Sequence, residues 1–295
     1  MPVRHQLVRM THEFRFLKYH ACGNDFILKD ELQGAPTSDL ERGRLARTLC
    51  RRRFQVGADG LLFVERAEGV DGSMRLFEPD GKEADMCGNG LRCVAAYLTE
   101  ILHKDEVAVL TRDGTKRVVR RGELFTADMG VVRTGPSGLK GYLSVPSDGP
   151  DGPVRIDLCT PERHLEGYMV NTGEPHVVVF TDDLDGEDVA RCGAMISKDY
   201  AKFPKATNVD FVQVAGPGEI RVRTYERGVF DETLACGTGA TACAAVSLML
   251  GRVNKGLVTV TTRGGQIMIE LGDDGRARMT GPATKVFEGS LVVAV

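Results

Sequence analysis

Two short stretches of this sequence each place a cysteine at the start of a glycine-rich turn. They read MCGNGLRC, beginning at Met86, and ACGTGATAC, beginning at Ala235. The leading cysteines, Cys87 and Cys236, lie half a chain apart, and each turn runs into a segment of small apolar residues. Because a thiol can bind metal, form a disulfide or transfer a proton, each of these chemistries has to be weighed against the spacing.

Three candidate chemistries fit the spacing poorly. Five residues separate Cys87 from Cys93 and six separate Cys236 from Cys243, which is wider than the typical spacing of zinc ligands. A redox disulfide would usually require Cys-x-x-Cys, which this sequence lacks. The nucleotide-binding patterns GxxxxGK[ST] and GxGxxG do not match the glycine positions either. The turns therefore favour a fourth chemistry, proton transfer.

Proton transfer to and from an anionic substrate makes direct use of the duplication. Inverting an α-carbon requires a base on one face and an acid on the other, and two facing thiols supply both. The unpaired N–H groups at a helix N-terminus bind anions and stabilise charge on an α-carboxylate. They also favour a thiolate, so we expect lowered pKa values at Cys87 and Cys236. The reaction needs no cofactor and no metal.

The composition is that of an ordinary globular protein. The 295 residues suffice for two domains, and the formal net charge of −3 gives no field that would attract nucleic acid. No apolar run is long enough to span a membrane, and the N-terminus lacks the apolar core of a signal peptide. We therefore expect a cytoplasmic protein with neither nucleic-acid nor membrane partners.

The remaining cysteines are interpreted from that compartment. In a reducing cytosol the eight cysteines of this chain do not form a disulfide framework. We expect Cys50, Cys159 and Cys192 to be small buried or half-buried residues. Cys93 and Cys243 lie within apolar helical runs and are expected in the core.

Short strands separated by Asp-Gly and Gly turns dominate the predicted elements. The clearest strand patterns cover residues 14–20, 60–66, 73–79, 106–112, 176–181, 209–215, 219–226 and 257–263. Helical patterns cover 39–52, 89–102, 186–200 and 238–251. The Gly- and Pro-rich segment 134–154 is predicted to be a loop near a domain boundary. It divides the chain into similar halves, each with one Cys-Gly-x-Gly turn, which indicates a duplicated domain.

Six segments of the sequence, in this order and spread over nearly all of the chain, resemble the diaminopimelate epimerase family. They are KYHACGNDF (18–26), GADGLLFVE (57–65), DMCGNGLRC (85–93), NTGEPHVVVF (171–180), NVDFVQV (208–214) and YERG with ETLACGTGATA (225–242). The resemblance implies a cofactor-independent isomerase that interconverts LL- and meso-2,6-diaminopimelate in the synthesis of lysine and peptidoglycan precursors. The substrate is then a small amino acid, and the sequence is compatible with a homodimer.

The same resemblance implies an α+β fold of two pseudo-symmetric domains, each a curled, mostly antiparallel sheet around a central helix. An N-terminal domain over 14–132 would carry Cys87, and the C-terminal segment 284–295 would return to it. A second domain over 133–283 would carry Cys236, and the active site would lie in the cleft between the two. The first thirteen residues are expected to precede the first strand.

Motif positions imply roles for individual residues. Cys87 and Cys236 would be the acid–base pair, and His176 and Glu226 would modulate the thiol pKa values. Backbone donors to the α-carboxylate would come from Gly88, Asn89, Gly237 and Thr238. Further substrate contacts would come from Asn24, Asn208, Glu226 and Arg227, whose guanidinium suits a second carboxylate.

Two positions depart from the pattern of the family. Glu78 stands in FEPDG where an Asn is common, and Glu174 stands where some members have Asn. Glu78 would either repel a second carboxylate, bind a second ammonium group or point elsewhere. A related amino-acid racemase with another side-chain specificity therefore remains an alternative. The GND and ERG segments argue against the proline racemase branch, and a thiol redox or metal-binding protein is the non-enzymatic alternative.

Overall fold

The computed structural model describes residues 11–144, 152–161 and 163–294. Its helices are α1 (Asp39–Leu49), α2 (Gly88–Leu102), α3 (Gly135–Gly138), α4 (Val189–Ser197) and α5 (Gly237–Met249). Its strands are β1 (Thr11–Ala21), β2 (Asn24–Glu31), β3 (Gly60–Glu65), β4 (Gly72–Phe77), β5 (Glu83–Ala84), β6 (Glu106–Thr111), β7 (Gly114–Arg121), β8 (Leu124–Val131), β9 (Val154–Cys159), β10 (His164–Asn171), β11 (Pro175–Phe180), β12 (Asn208–Gly216), β13 (Glu219–Glu226), β14 (Asp231–Thr233), β15 (Leu257–Thr262), β16 (Gly265–Leu271), β17 (Arg276–Pro282) and β18 (Thr284–Ala294). These strands form one hydrogen-bonded network.

The strand pairings of the first half recur in the second half. In the first half β2 pairs parallel with β3, β3 and β5 pair antiparallel with β4, and β4 pairs parallel with β6. In the second half β11 pairs parallel with β12, β12 and β14 pair antiparallel with β13, and β13 pairs parallel with β15. The long helices α2 and α5 occupy equivalent places, after β5 and after β14. The repetition confirms the predicted pseudo-symmetric α+β fold.

Two antiparallel pairings join the ends of the repeat. β17 of the second half pairs with β8 of the first, and the last strand, β18, pairs with β1 over almost its whole length. β1 takes the neighbouring position beside β2. The last strand thus lies beside the first strand, and the β17–β8 pairing joins the two halves.

Each half wraps its strands around one apolar helix. α2 packs on strands of the first half and α5 on strands of the second. Leu91, Val94 and Leu98 in α2 are fully buried, as are Ala240 and Val246 in α5. Since α5 is apolar on all sides, it can only be stable when covered on all sides, as these sheets allow. The burial of both helices fixes the positions of their N-termini.

The predicted helices and strands agree with the observed ones to within a few residues. The first strand begins at Thr11, earlier than expected, because its first residues pair with the last strand of the chain. The predicted loop over 134–154 contains the short helix α3, and its residues 145–151 lie outside the described part of the chain. No helix in the described ranges is long and apolar enough to cross a membrane.

Candidate active site

Cys87 and Cys236 begin the two central helices with the same local geometry. Each is the N-cap residue, with extended backbone angles (φ −145° and ψ 115° for Cys87, φ −113° and ψ 116° for Cys236). Each sulfur accepts a hydrogen bond from the backbone N–H three residues later, at 3.4 Å from Gly90 and 3.3 Å from Gly239. The sulfurs thus take the place that a serine or aspartate oxygen usually takes at a helix start.

The two helix starts lie against each other. A Cβ atom added to Gly88 would lie 2.7 Å from Cε of Met279, and one added to Gly237 would lie 3.1 Å from Sδ of the same residue. A Cβ atom at Gly237 would also lie 3.6 Å from Oδ1 of Asn89. Glycine at these positions lets both turns approach one methionine on β17. The duplicated turns of the sequence therefore meet in one place.

Asn89 links the two turns. Its amide nitrogen donates to Oδ1 of Asn24 at 3.1 Å and to the carbonyl of Ala235 at 3.0 Å, directly before Cys236. Oδ1 of Asn24 also lies 3.9 Å from the sulfur of Cys87. The structure therefore brings Asn24, Asn89 and both cysteine turns together, as the motif positions implied.

A buried arginine holds this amide in place. Arg92 is fully buried in α2, and its guanidinium donates to Oδ1 of Asn89 at 2.8 Å and to the carbonyl of Pro282 at 3.3 Å. Burial lowers the pKa of Arg92. Because Oδ1 of Asn89 is engaged by Arg92, the Nδ2 group is oriented toward Asn24 and the second turn. No motif indicates Arg92, although an arginine among the apolar residues at the start of a helix is unusual.

On the other side, the Cys236 thiol is connected to His176. The sulfur lies 3.3 Å from the hydroxyl of Thr238, and that hydroxyl lies 3.0 Å from Nε2 of His176. His176 is fully buried, and its Nδ1 lies 2.7 Å from Oδ2 of Asp210. The structure therefore places His176 near a thiol, as expected. The connection between the imidazole ring and the sulfur is indirect, because the Thr238 hydroxyl lies between them.

Asn208 and Arg227 also lie at this site. Oδ1 of Asn208 accepts from the backbone N–H of Arg227 at 3.0 Å, and its Nδ2 donates to the carbonyl of Pro175 at 3.0 Å. The Arg227 guanidinium forms an ion pair with Glu174. The resemblance implies that the Arg227 guanidinium binds a substrate carboxylate. In this structure the carboxylate of Glu174 is its partner instead.

Glu78, from the first half of the chain, lies beside this ion pair. A Cβ atom at Gly228 would lie 3.7 Å from Oε1 of Glu78. Burial raises the pKa of Glu78, and the nearby carboxylates of Asp80 and Glu174 raise it further, while Arg227 lowers it. The two residues that depart from the family pattern, Glu78 and Glu174, therefore form one cluster with Arg227.

The carboxyl group of Glu226 acts electrostatically on both thiols. Burial raises the pKa of its carboxyl to about 7, against a hydrogen bond from Thr233 that lowers it. Its negative charge in turn raises the pKa values of both Cys87 and Cys236. One carboxyl group therefore influences the pKa values of both thiols.

The expectation of lowered thiol pKa values is wrong for this structure. Burial raises the pKa of Cys87 to about 11, although the N–H of Gly90 acts in the opposite direction. Burial also raises the pKa of Cys236 well above its ordinary value, and Glu226 adds to the effect. Desolvation of a buried thiolate thus outweighs the donors at the helix start. Each thiol needs a neighbouring base, or a bound charge, in order to ionise.

The other cysteines follow the predictions with one exception. Cys50 and Cys192 are buried, and Cys93 and Cys243 are fully buried in the core. Cys159 is exposed, because it ends a strand at the surface, and its sulfur lies 3.2 Å from Nδ1 of His164. The prediction of a buried or half-buried Cys159 is therefore wrong.

A cavity of about 240 Å³ opens beside the two turns. It is lined by residues of both halves, namely Asp85, Met86, Arg112, Asp113, Met129, Thr172, Gly173, Glu174 and Thr238. Met86 directly precedes Cys87, and Thr238 belongs to the second turn, so the cavity borders both turns. Within the described part of the chain, no group of three or more His, Cys, Asp or Glu side chains has the arrangement of a metal site.

The raised pKa of Glu226 makes a prediction about stability. The folded state holds a proton on this carboxyl up to about pH 7, whereas the reference value is 4.5. The folded chain therefore binds more protons than the unfolded chain between these values, and its free energy of unfolding falls as the pH rises through them. Glu226→Gln is expected to remove that part of the fall.

Urea unfolding at about pH 5 and about pH 8 measures this difference. Glu219→Gln, at the exposed start of the same strand, is the matched control. An equal change of unfolding free energy with pH in wild type and Glu226→Gln would contradict the assignment.

Comparison with known proteins supports the resemblance to the diaminopimelate epimerase family that the sequence motifs indicated. The family model for diaminopimelate epimerase matches residues 16–135 and 168–286, one segment in each half of the chain. A relative named diaminopimelate epimerase from Methanocella arvoryzae is 40% identical over 95% of this chain and 98% of its own length. Another of that name, from Archaeoglobus fulgidus, is 41% identical over 94% of this chain and 95% of its own.

Solved structures of lower sequence identity share the fold. A hydroxyproline epimerase from Agrobacterium vitis has a TM-score of 0.69 at 16% identity, covering 96% of this chain and 92% of that one. A probable proline racemase from Agrobacterium radiobacter has a TM-score of 0.68 at 15% identity, covering 94% and 92%. Together with the paired cysteine turns, the match over both halves establishes that this chain belongs to the diaminopimelate epimerase family.

Proposed function

We propose that this protein interconverts LL- and meso-2,6-diaminopimelate without a cofactor, by proton transfer at Cys87 and Cys236. The observation that carries the proposal is the matched pair of N-cap thiols on two helix starts that touch a common methionine. Membership of the family supports the choice of substrate. The reaction belongs to the synthesis of lysine and of peptidoglycan precursors.

The two turns divide the reaction between the faces of the α-carbon. One thiolate takes the α-proton while the thiol of the other turn gives its proton to the opposite face, and the roles exchange in the reverse direction. The N–H groups of Gly88, Asn89, Gly237 and Thr238 lie in the first turns of α2 and α5, where helices have unpaired donors. They stabilise the charge that reaches the α-carboxylate when the α-proton leaves.

The cluster of Glu78, Glu174 and Arg227 binds the distal end of the substrate. That end carries one ammonium group and one carboxylate. Arg227 provides a planar, bidentate partner for the carboxylate once Glu174 releases it, and Glu78 provides a carboxylate for the ammonium group. The sequence leaves three roles open for Glu78. Its position beside Arg227 favours one of them, the binding of a second ammonium group.

A substrate panel tests the specificity. LL-diaminopimelate, meso-diaminopimelate and L-lysine are compared for exchange of the α-hydrogen with solvent, because lysine is diaminopimelate without its distal carboxylate. We expect Arg227→Met to lower kcat/KM for diaminopimelate by roughly 10- to 100-fold, as for loss of a charge-assisted pair, and to leave lysine unaffected. Arg191→Met, on the separate helix α4, is the matched control. Wild-type preference for lysine over diaminopimelate would refute the choice of substrate.

The domain division is part of the proposal. We assign residues 14–132 and 284–295 to a domain that carries Cys87, and residues 133–283 to one that carries Cys236. The pairing of β18 with β1 supports the return of the C-terminal segment, while residue 295 itself lies outside the described part. A cytoplasmic location agrees with the eight free cysteines, and a homodimer is the proposed assembly.

A further inference from the structure

Three contacts connect a buried carboxylate with the thiol of Cys236. Oδ2 of Asp210 lies 2.7 Å from Nδ1 of His176, Nε2 of His176 lies 3.0 Å from the Thr238 hydroxyl, and this hydroxyl lies 3.3 Å from the sulfur. Asp210 and His176 are both fully buried. These distances make one continuous hydrogen-bonded chain from β12, through β11, to the start of α5.

Neighbouring groups fix the direction of this chain. The other oxygen of Asp210 accepts from the Thr224 hydroxyl at 2.7 Å, so the carboxylate serves as an acceptor at both ends. The Asn208 amide is oriented because its Oδ1 accepts from the backbone N–H of Arg227, and its Nδ2 lies 3.4 Å from Nε2 of His176. An amide N–H facing Nε2 and a carboxylate facing Nδ1 both require the hydrogen of the neutral ring on Nδ1.

We propose that Asp210 is a positioning residue that holds His176 in the Nδ1–H form, so that His176 accepts the proton of Cys236 through the Thr238 hydroxyl. The inference rests on the proposed function, since it gives the route by which one of the two thiols becomes a base. Asp210 acts through His176 and touches neither the thiol nor the substrate. It supplies a fixed partner for the imidazolium ion that forms.

The proton transfers in this step balance, because each proton that leaves one atom is taken up by another. The S–H bond of Cys236 breaks, its proton passes to the Thr238 oxygen, and the hydroxyl proton of Thr238 passes to Nε2 of His176. The products are a thiolate, an unchanged hydroxyl and an imidazolium ion beside the Asp210 carboxylate. Burial raises the pKa of the Cys236 thiol, which is why a base within reach is needed. When the thiolate then takes an α-proton, the thiol is restored and Cys87 loses its own proton to the opposite face.

The first turn has a different residue at the equivalent position. Asn89 occupies the second place after Cys87, as Thr238 does after Cys236, and its amide donates to Asn24 and to Ala235. The sequence departs from its own repeat at this position, so the relay serves Cys236. Cys87 is therefore an internal control in any experiment that reads both thiols.

Alkylation of the two thiols by iodoacetamide tests the relay without a substrate. The rate at each cysteine is measured by mass spectrometry of its peptide, across a range of pH, in the full-length protein. Asp210→Asn keeps the shape of the side chain but removes the negative charge that stabilises the imidazolium ion. Thr238→Val removes the hydroxyl, and Thr238→Ser retains it.

We expect Asp210→Asn and Thr238→Val to slow alkylation of Cys236 at about neutral pH by about tenfold, equivalent to one pKa unit of thiolate population. Thr238→Ser should stay close to wild type, and the rate at Cys87 should not change in any variant. An unchanged Cys236 rate in both Asp210→Asn and Thr238→Val overturns the relay. Equal slowing at both thiols also overturns it, since that result indicates a change of the cleft as a whole.

Two controls keep the outcome decisive. Thermal unfolding of each variant reports the fold, and if Asp210→Asn does not fold, the Thr238→Val and Thr238→Ser pair decides the question. Epimerisation of LL-diaminopimelate is measured in parallel on the wild type. Selective slowing at Cys236 together with absence of epimerisation would support the relay while refuting the proposed function, so the two failures are distinguishable.

Discussion

Cys87→Ala and Cys236→Ala are each expected to lower the rate of interconversion of LL- and meso-diaminopimelate by at least about 1,000-fold. A positioned acid or base contributes roughly 100- to 10,000-fold, and inversion needs one group on each face, so loss of either thiol stops the reaction. Chromatography that separates the stereoisomers measures the rate from each direction. Both variants should fold, because each change removes only one sulfur atom.

Cys159→Ala is the matched control for this pair. It removes an exposed thiol at the end of β9, away from the two turns, and should leave the rate unchanged. Cys243→Ala removes a fully buried thiol from α5, and any effect should be on stability rather than on chemistry. Retention of more than about a tenth of wild-type activity by either Cys87→Ala or Cys236→Ala would contradict the two-thiol mechanism.

Gly239→Ala is expected to be far more damaging than Gly90→Ala, although both are the third residue after a candidate catalytic cysteine. A Cβ atom at Gly239 would lie 2.5 Å from Oδ1 of the buried Asp210 and 3.3 Å from Cε1 of His176. A Cβ atom at Gly90 would lie 3.3 Å from a terminal carbon of Leu62, which can move. We expect Gly239→Ala to lower stability by roughly 1–3 kcal/mol and to lose most activity.

Denaturant unfolding and the epimerisation assay, applied to both alanine variants, separate the two turns. Alanine also favours helix over glycine, so Gly90→Ala is expected to be close to neutral in stability. Similar losses of activity and stability in the two variants would show that the Asp210–His176 pair does not constrain the second turn.

The paired turns made much of this site predictable. Cys87 and Cys236 stand out because the same Cys-Gly-x-Gly pattern occurs twice and each copy precedes a run of small apolar residues. That pattern predicts a helix start, and the cysteines are indeed the N-cap residues of α2 and α5, whose first residues are Gly88 and Gly237. The Asp-Gly turns and the β-rich runs between them likewise predicted eight of the eighteen strands in the described part of the chain.

Contacts between distant segments were not predictable from the sequence. Asp210 lies in an apolar strand pattern, and only the parallel pairing of β11 with β12 places it beside His176. Arg92 reaches Pro282 and Met279 on the far side of the repeat. The pKa values of the thiols depend on burial between the two halves, which local helix geometry does not contain. The sequence contains no sign that Glu174 pairs with Arg227, and this ion pair appears only in the fold.

Exchange with solvent deuterium tests the two-thiol account most directly. Purified protein is incubated in D₂O with LL-diaminopimelate and no added cofactor, and deuterium at the α-carbon of substrate and product is followed through the first part of the reaction. Because one thiol removes the proton and the other delivers a solvent-derived one, we predict deuterium in the newly formed meso isomer and little in the remaining LL isomer. Formation of unlabelled meso product, or early labelling of the LL substrate at the rate of inversion, would contradict it.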